Sequence, residues 1–328
     1  MNSESSIGIL LVNTGTPDAP TKEAAVRYLR RFLTDRRIVN LPPLIWKPLL
    51  NGIVLRVRPE KTVRIYQRIW TPEGSPYTLH SQKIEQALIQ EFNARGKANL
   101  LIRMAHRYGN PSMESELRSL QQQGCKRLIV LPLYPQRAFP TTDSVHDELT
   151  RVLPALGYAP DLTFIWSYFE EPMWIEAVAN SIRPALSANS PKTHLLFSFH
   201  SEPLKDVRDG DPYREHVEKS VRAIATALDV PEDSYSIAYQ SQFDDAQRWL
   251  GPFFHQKIAQ LKAQDVEKLL IVCPGFAVDC TETLYDIEVH QRMEFANDFP
   301  GECFRYIPCL NEDSAHIKAL AQVIEHHL

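Results

Sequence analysis

The chain alternates between short, wholly apolar runs and longer segments in which apolar residues recur every three to four positions. Runs of the first kind are typical of parallel strands covered on both faces, and the second pattern is typical of amphipathic helices. The pattern predicts strands at Ile7–Val12, Leu100–Ile102, Leu128–Leu133, Leu162–Trp166, Leu195–Phe199, Tyr235–Tyr239 and Leu269–Val272. It predicts helices at Ala24–Leu33, Ile84–Phe92, Met113–Leu120, Trp174–Leu186, Tyr213–Leu228, Trp249–Leu261 and Leu284–Phe295. This alternation indicates an α/β fold with doubly wound parallel sheets.

Two segments in the first half of the chain, each a predicted strand with the loop that follows it, resemble two segments in the second half. Lys126–Tyr134 resembles Glu267–Gly275, with a basic residue, an apolar strand and a proline near the exit. Ile9–Pro17 resembles His194–Pro203 in the same way. A duplication would explain this echo, and so would the generic shape of a strand-to-helix exit.

The chain is long enough, at 328 residues, for two domains. Residues 141–160 hold a predicted helix and then a connection that contains proline and glycine. We therefore expect one α/β domain over residues 1–150, a second over 151–310 and a C-terminal helix over 311–328.

The composition excludes several classes of protein. With 44% hydrophobic and 23% charged residues the chain is an ordinary globular protein, and a net charge of −4 argues against nucleic acid as a partner. There are 24 prolines but 12 glycines, and no glycine triplet has the spacing of a dinucleotide-binding loop. The loops are therefore stiff, and a glycine-rich phosphate cradle is not indicated.

Cysteine usage and hydropathy point to the cytoplasm. No two of the five cysteines are spaced as a C-x2-C pair, so a local zinc or iron–sulfur site is not indicated. Residues 1–6 lack the basic and apolar regions of a signal peptide. No uncharged apolar run reaches the length of about 18 residues that a membrane span needs.

Ligands of open α/β sheets bind at the carboxyl ends of the strands. The segments that follow the predicted strands are rich in histidine, hydroxyl, amide and aromatic side chains. They are Asn13–Pro17, His106–Pro111, Tyr134–Thr142, His200–Pro203, Gln240–Phe243 and Pro274–Glu282.

These segments and their neighbours resemble the ferrochelatase family in collinear order over about Ile7 to Ile317. The matching blocks are Leu10–Pro17, Tyr66–Trp70, Gly74–Pro76, His106–Gly109, Leu131–Gln136 with Thr141 and Thr142, Phe197–His200, Gly210–Tyr213, Gln240–Ser241, Trp249–Leu250, Cys273–Phe276, Asp279–Leu284 and Tyr306–Asn311. The resemblance implies a chelatase-like fold of two similar Rossmann-like domains, with a porphyrin cleft between them.

The activity implied by the resemblance is insertion of Fe²⁺ into protoporphyrin IX to give protoheme and two protons, the last step of heme biosynthesis. Coproporphyrin III is the alternative substrate. A non-catalytic tetrapyrrole carrier is a third possibility, but it predicts loss of a His/Glu pair that this chain retains. Iron is then a substrate, and no cofactor is expected to stay bound. The chain ends soon after the last block, so no iron–sulfur cluster is expected.

The family's essential histidine corresponds to His200, which lies at a predicted strand exit. A neutral imidazole can accept a pyrrole proton or bind a divalent metal, although a structural histidine is the commoner case for a lone residue. The family glutamate that faces this histidine across the porphyrin corresponds to Glu282. We therefore expect His200 and Glu282 to be catalytic and to contact the metal.

Asp286 and His290 follow Glu282 at four-residue intervals and are expected to be weaker metal ligands. Residues at i, i+4 and i+8 lie on one helical face, drifting by about 40° per step in an α-helix. A π-bulge would straighten the row, and such bulges concentrate at functional sites. A solvated helix face is the alternative explanation of the pattern.

Five further residues match family positions that contact the porphyrin or line its cleft: Arg58, Tyr66, Ser75, Tyr108 and Tyr134. Arginine can form a bidentate, charge-assisted pair with a propionate, although a surface arginine is commoner. Packed interior tyrosines would equally explain Tyr108 and Tyr134.

Residues 41–57 are apolar with few charges and correspond to the family's hydrophobic lip. The lip would cover the porphyrin and contact a membrane surface, and a core-facing helix is the alternative. We expect a cytoplasmic enzyme at the periphery of the inner membrane. The chain departs from the family pattern at 137–140 and 242–245. These departures affect the expectation for how it binds the porphyrin and which porphyrin side chains it prefers.

Overall fold

The computed structural model describes residues 7–186, 192–242 and 248–328, which form two compact units. The first unit holds the described residues up to Tyr134, together with Ala138–Ser167 and Ala321–Leu328. The second holds Pro135–Arg137 and the described residues of Tyr168–Leu320.

A four-stranded parallel sheet forms the centre of the first unit. Its strands are β1 (Ile7–Asn13), β2 (Leu100–His106), β3 (Arg127–Pro132) and β4 (Asp161–Phe164), in the order β2-β1-β3-β4. Residues 9–12 of the central strand β1 are fully buried. Helices cover both faces of such a sheet, which explains why the strand is apolar at every position.

The helices of the first unit are α1 (Lys22–Thr34), α2 (Pro43–Leu49), α3 (Leu55–Ile69), α4 (Pro76–Ala94), α5 (Met113–Gln122) and α6 (Ser144–Ala155). Short π-helical segments lie at Leu50–Val54 and Phe139–Asp143. Hydroxyl caps fix where α1 and α5 begin: Thr21 accepts from Ala24 N at 3.4 Å, and Ser112 accepts from Ser115 N at 3.1 Å.

The sheet of the second unit repeats this strand order. Its strands are β5 (Thr193–His200), β6 (Tyr235–Gln240), β7 (Lys268–Val272) and β8 (Phe304–Ile307), in the order β6-β5-β7-β8. Strands β1 and β5 thus hold the same place in their sheets, as do β3 and β7. These are the two pairs of strands whose sequences echo each other.

The helices of the second unit are α7 (Pro172–Leu186), α8 (Leu204–Arg208), α9 (Tyr213–Leu228), α10 (Phe254–Ala263), a π-helix at Thr281–Gln291, α11 (Arg292–Glu294) and α12 (Ser314–Glu325). The last helix, α12, continues from the second unit into the first. None of the helices in the described ranges is both long and apolar enough to cross a bilayer.

The predicted α/β class and parallel sheets are confirmed, but several elements differ from the prediction, and helices α3 and α8 were not predicted. Strand β8 was not predicted, because it has four residues and one of them is Arg305. Helix α10 begins at Phe254 rather than Trp249, since Gly251 and Pro252 interrupt the segment. The helix predicted at Leu284–Phe295 is mostly π-helical and begins earlier, at Thr281.

Candidate active site

The carboxyl ends of β5 and β6 place two polar side chains beside each other. His200 is the last residue of β5 and pairs in register with Gln240, the last residue of β6. The Ser201 amide donates to the Gln240 carbonyl oxygen at 2.8 Å, which continues the pairing by one residue. This is the sheet edge at which the sequence predicted a ligand site.

The His200 ring has a defined hydrogen bond on one side. Its Nδ1 lies 2.6 Å from the carbonyl oxygen of Ser201. Because a carbonyl oxygen can only accept, Nδ1 of the neutral ring carries the proton and the lone pair is on Nε2. The residue is half-buried, and the Tyr213 hydroxyl donates to its carbonyl oxygen at 3.2 Å. The backbone and the ring are therefore both held.

Gln240 connects this edge to the π-helix. Its buried side chain donates through Nε2 to the Glu282 carbonyl oxygen at 3.2 Å. Contacts of one glutamine therefore bring the backbones that carry His200 and Glu282 to the same edge of the second unit's sheet.

The Glu282 carboxylate has neighbours that donate to it. Thr281 Oγ1 donates to Glu282 Oε2 at 2.7 Å. Burial raises the pKa of the Cys280 thiol, and the nearby Glu282 carboxylate raises it further, so the thiol stays protonated. The carboxylate is half-buried among these groups.

The π-helix carries Glu282, Asp286 and His290 at four-residue intervals. Hydrogen bonds from i to i+5 widen each turn beyond the 3.6 residues of an α-helix, which brings such a row closer to alignment. Glu282 and Asp286 are half-buried, whereas His290 is exposed. The row therefore leads from the covered start of the helix toward solvent.

The outer members of the row have polar neighbours. Ser241 Oγ donates to Asp286 Oδ2 at 3.1 Å, and His290 Nδ1 lies 3.8 Å from Glu294 Oε2. Over the described ranges, no group of three or more histidine, cysteine, aspartate or glutamate residues is placed to hold a metal ion.

Arg58 lies on α3 in the first unit and is exposed. Within the part of the chain that the structure describes, no carboxylate pairs with its guanidinium, and partial loss of hydration lowers its pKa. Arginine stays charged under all ordinary conditions, so this side chain presents a cation that no described carboxylate neutralises.

Tyr66 and Ser75 lie near each other in sequence at the end of α3 and the start of α4. Tyr66 is buried, and its ring meets that of Trp70 edge to face at 6.0 Å. Ser75 is 4% exposed and its hydroxyl makes no hydrogen bond to the described residues. A buried hydroxyl without a partner is costly, so Ser75 is a polar group that a ligand could satisfy.

Tyr108 and Tyr134 use their hydroxyls within the first unit. The Tyr108 hydroxyl donates to Asp35 Oδ2 at 2.8 Å, and its ring is 2% exposed. The Tyr134 hydroxyl is hydrogen-bonded to Thr14 Oγ1 at 2.7 Å, and burial raises its pKa. Tyr108 thus lies in the interior, as the alternative interpretation held, and the predicted porphyrin contacts of both tyrosines stay predictions.

The apolar segment 41–57 is largely exposed, so the core-facing alternative fails for much of it. The most exposed apolar side chains are Leu44 at 91%, Val57 at 68%, Ile45 at 64% and Ile53 at 58%. Leu50 and Leu55 face inward and pack against α1. The segment therefore carries an apolar surface, which we call the lip.

Sequence reasoning missed several residues that shape the site. Tyr213, Gln240 and Asp279 lie in the matching blocks, but nothing in their spacing assigned them a role. Asp35 lies in no block, although it accepts hydrogen bonds from Tyr108 and from Ser144 Oγ at 2.5 Å. Most of the departure at 242–245 lies outside the described residues.

Comparison with known proteins gives a consistent result. A family model described as Ferrochelatase matches residues 6–328. Ferrochelatase 2 of Shewanella oneidensis is 42% identical over 98% of this chain and 98% of its own. Ferrochelatases of Vibrio cholerae and Actinobacillus pleuropneumoniae are 39% and 41% identical, over 99% and 97% of this chain and 99% and 98% of theirs.

Solved structures with the same fold include two of SirB. The sirohydrochlorin chelatase SirB of Bacillus subtilis subspecies spizizenii, in complex with cobalt, matches with a TM-score of 0.54 and 12% identity over 98% of this chain and 94% of that one. SirB from Bacillus subtilis with Fe³⁺ matches with a TM-score of 0.52 and 13% identity over 98% and 95%. At such identities the likeness extends to the fold alone.

Proposed function

Since this chain belongs to the ferrochelatase family, whose members insert a metal ion into a porphyrin, we propose that its substrates are ferrous iron and protoporphyrin IX, with protoheme and two protons as products. One observation carries the assignment of the chemistry to this chain's own residues. A base with a free lone pair, His200, and a half-buried carboxylate, Glu282, share one sheet edge through the contacts of Gln240.

The hydrogen bonding of the His200 ring fits the role of the base that accepts the pyrrole protons. The hydrogen bond from Nδ1 to the Ser201 carbonyl oxygen fixes the ring and leaves the lone pair of Nε2 for a pyrrole proton. The same carbonyl stabilises the imidazolium that forms. Because one imidazole accepts one proton at a time, the half-buried His200 gives the first proton to solvent water before it accepts the second.

Glu282 lies at the covered end of the row, which fits the role of the last ligand that the metal ion meets before the porphyrin. Carboxylate and imidazole are both ligands that divalent iron accepts. We propose that ferrous iron passes along the row from exposed His290 through Asp286 to Glu282, and that these side chains replace bound water step by step.

Arg58 supports recognition of the porphyrin's propionates. Of the five residues predicted to contact the porphyrin it is the one cation, and it has no described partner carboxylate. Its guanidinium can form a bidentate, charge-assisted pair with a propionate carboxylate. The contacts of Tyr66, Ser75, Tyr108 and Tyr134 with the macrocycle remain proposals of the same kind.

An anaerobic metallation assay tests this function. The protein is incubated with Fe²⁺, or Zn²⁺ as a surrogate, and with protoporphyrin or coproporphyrin, and the absorbance change is followed. We expect turnover with protoporphyrin. Turnover with coproporphyrin alone would reassign the substrate, and no turnover with either would contradict the proposed activity.

Substitution of His200 tests its assignment as the base. We expect His200→Ala to lose about a hundredfold or more of kcat, the usual contribution of a positioned general base. His255→Ala is the control, because His255 is half-buried in the same unit and contacts the ring of Phe253. Equal activity of the two variants would remove His200 from the mechanism.

The lip supports contact with a membrane surface. Apolar side chains at 44, 45, 53 and 57 are exposed beside the cations Lys47 and Arg56, a combination that suits an anionic bilayer interface. The protein should co-sediment with phosphatidylglycerol vesicles more than with phosphatidylcholine vesicles. The double change Leu44→Glu and Ile45→Glu should abolish binding, whereas Met293→Glu, at an exposed apolar residue of the second unit, should not. Equal binding by all three proteins would contradict this contact.

A further inference from the structure

The loop that leads into the π-helix is held by one buried carboxylate. Asp279 is 4% exposed, and its Oδ1 accepts from Thr283 Oγ1 at 2.9 Å and from the Tyr306 hydroxyl at 2.6 Å. In the described ranges no lysine or arginine pairs with it. Its hydrogen bonds therefore provide the compensation that a buried charge requires, and Thr283 ties it to the residue directly after Glu282.

Asn311, at the exit of β8, forms a reciprocal pair with Asp279. The Asp279 amide donates to Asn311 Oδ1 at 2.9 Å, and Asn311 Nδ2 donates to Asp279 Oδ2 at 2.7 Å. The Asn311 amide also donates to the Ala277 carbonyl oxygen at 3.0 Å. Three hydrogen bonds from a single residue thus fix the loop on both sides of Val278.

The backbone of Asn311 has a left-handed conformation, with φ at +48°. Asparagine tolerates this region better than most residues, and glycine adopts it freely. His316 on α12 holds the same residue from the other side, because its Nδ1 donates to the Asn311 carbonyl oxygen at 2.6 Å. His316 is fully buried, and burial lowers its pKa to about 4, so the ring stays neutral at physiological pH.

We propose that Asn311 is a positioning residue for the reaction: through Asp279 and Thr283 it fixes the start of the π-helix and so the place of the Glu282 carboxylate. This inference rests on the proposed function of Glu282. Asn311 itself touches neither substrate. Its effect should therefore be on the chemical step and not on the affinity for the porphyrin.

Asn311→Gly removes the side-chain bonds while keeping a residue that tolerates the left-handed backbone. We expect kcat to fall roughly ten- to a hundredfold, the usual effect of a displaced reacting group, with the KM for porphyrin within about twofold of the parent. The matched control is Ser236→Ala, which removes a partly buried hydrogen bond to His194 at the opposite end of β5. That control should lose thermal stability without losing kcat. An unchanged kcat in Asn311→Gly would overturn the proposal.

A pair swap separates positioning from general damage. Asp279→Asn should set two amide donors against each other, and Asn311→Asp should set two carboxylates against each other. The double variant restores a complementary pair, so we expect it to recover kcat to within about tenfold of the parent. A double variant as inactive as the worse single variant would contradict the reciprocal pairing.

Hydrogen exchange gives a readout that does not depend on turnover. In Asn311→Gly, the amides of residues 280–286 should exchange faster than in the parent, while those of α10 should not change. If the parent turns over neither porphyrin, the proposed function fails, and this measurement still decides the structural part of the inference. Unchanged exchange over residues 280–286 would overturn it.

Discussion

At the scale of single residues, His106 shows how burial alone can change a histidine. It ends β2 in the first unit, the position that Gln240 holds in the second, and it is 1% exposed. Neither ring nitrogen makes a hydrogen bond to the described residues. Burial lowers its pKa to about 4, so the folded protein holds this ring neutral.

A pH dependence of stability follows from this shift. The folded-state pKa lies below the unfolded value of about 6.5, so the unfolded chain binds the proton first as pH falls. Above pH ~6.5 the buried ring does not lower the free energy of unfolding. As pH falls from 6.5 toward 4, that free energy decreases by about 3 kcal/mol at most. His106→Phe keeps an aromatic ring against Tyr77 and should flatten the change in urea midpoint over this range. A pH dependence identical to that of the parent would contradict this assignment.

The two central residues of the candidate site could be predicted from sequence, and their supports could not. His200 and Glu282 lie in motifs of a known family, His200 at the end of an apolar strand and Glu282 at the start of a helix. The partners Asp279 and Asn311 are 32 residues apart, and their pairing depends on β7 and β8 lying side by side. No local pattern encodes such a contact, because either residue alone is an ordinary loop residue.

At the scale of elements, the wide turn of the π-helix gives the row of Glu282, Asp286 and His290 its direction. The sequence shows the four-residue interval and suggests a π-bulge as a way to straighten it, whereas the 11-residue length of the π-helix could not be predicted. The π-helix starts where Thr283 Oγ1 accepts from the Cys280 amide at 3.0 Å and donates to Asp279. Asp279 in turn accepts from the Tyr306 hydroxyl on β8, so the start of the helix depends on tertiary contacts.

If the row conducts the metal ion, the position of the Asp286 carboxylate on the helix should matter, and a carboxylate at a neighbouring position should not replace it. Asp286→Ala should raise the KM for the metal roughly tenfold, the lower end of the range for residues that support metal ligands, and leave the KM for porphyrin unchanged. Moving the acid by one residue, as in Tyr285→Asp combined with Asp286→Ala, should not restore it. Glu288→Ala is the control, because that carboxylate pairs with Arg292 at 2.9 Å. Rescue by the shifted acid would show that overall charge is sufficient.

The prediction found seven of the eight described strands, most completely where the apolar run was long, and missed β8. Strands β1, β3 and β5 are buried along nearly their whole length, so their sequences carry the signal strongly. Strand β8 is four residues long at the edge of its sheet, and Arg305 interrupts its apolar pattern. Its place is set by pairing with β7, which is a tertiary contact.

At the scale of the whole molecule, Glu325 holds the end of α12 in the first unit. Its carboxylate accepts from Arg95 Nη1 at 2.6 Å and from Lys97 Nζ at 2.8 Å. These contacts lower the pKa of Glu325, so the stabilisation is present above its unfolded pKa and is lost as pH falls through the folded one.

Glu325→Gln should cost about 1 kcal/mol of stability, the upper range for partly exposed ion pairs. The loss should shrink in high salt, because part of the attraction is screened. Glu218→Gln serves as the control, since its pair with Arg214 is exposed and lies within one helix. Urea unfolding at low and high salt measures both. Equal losses in the two variants would contradict a special role for the Glu325 contacts.

The repeated strand order has a consequence for how such a chain can evolve. Equivalent exits in the two sheets carry Asn13 beside His106 in one and His200 beside Gln240 in the other. Two sheets with one strand order offer the same two positions at their edges, and different side chains can occupy those positions independently. The first sheet has Asn13 at the position of His200 and the buried His106 at the position of Gln240, so the histidines of the two sheets lie on different strands. A sequence change at one sheet edge therefore need not be matched by a change at the other.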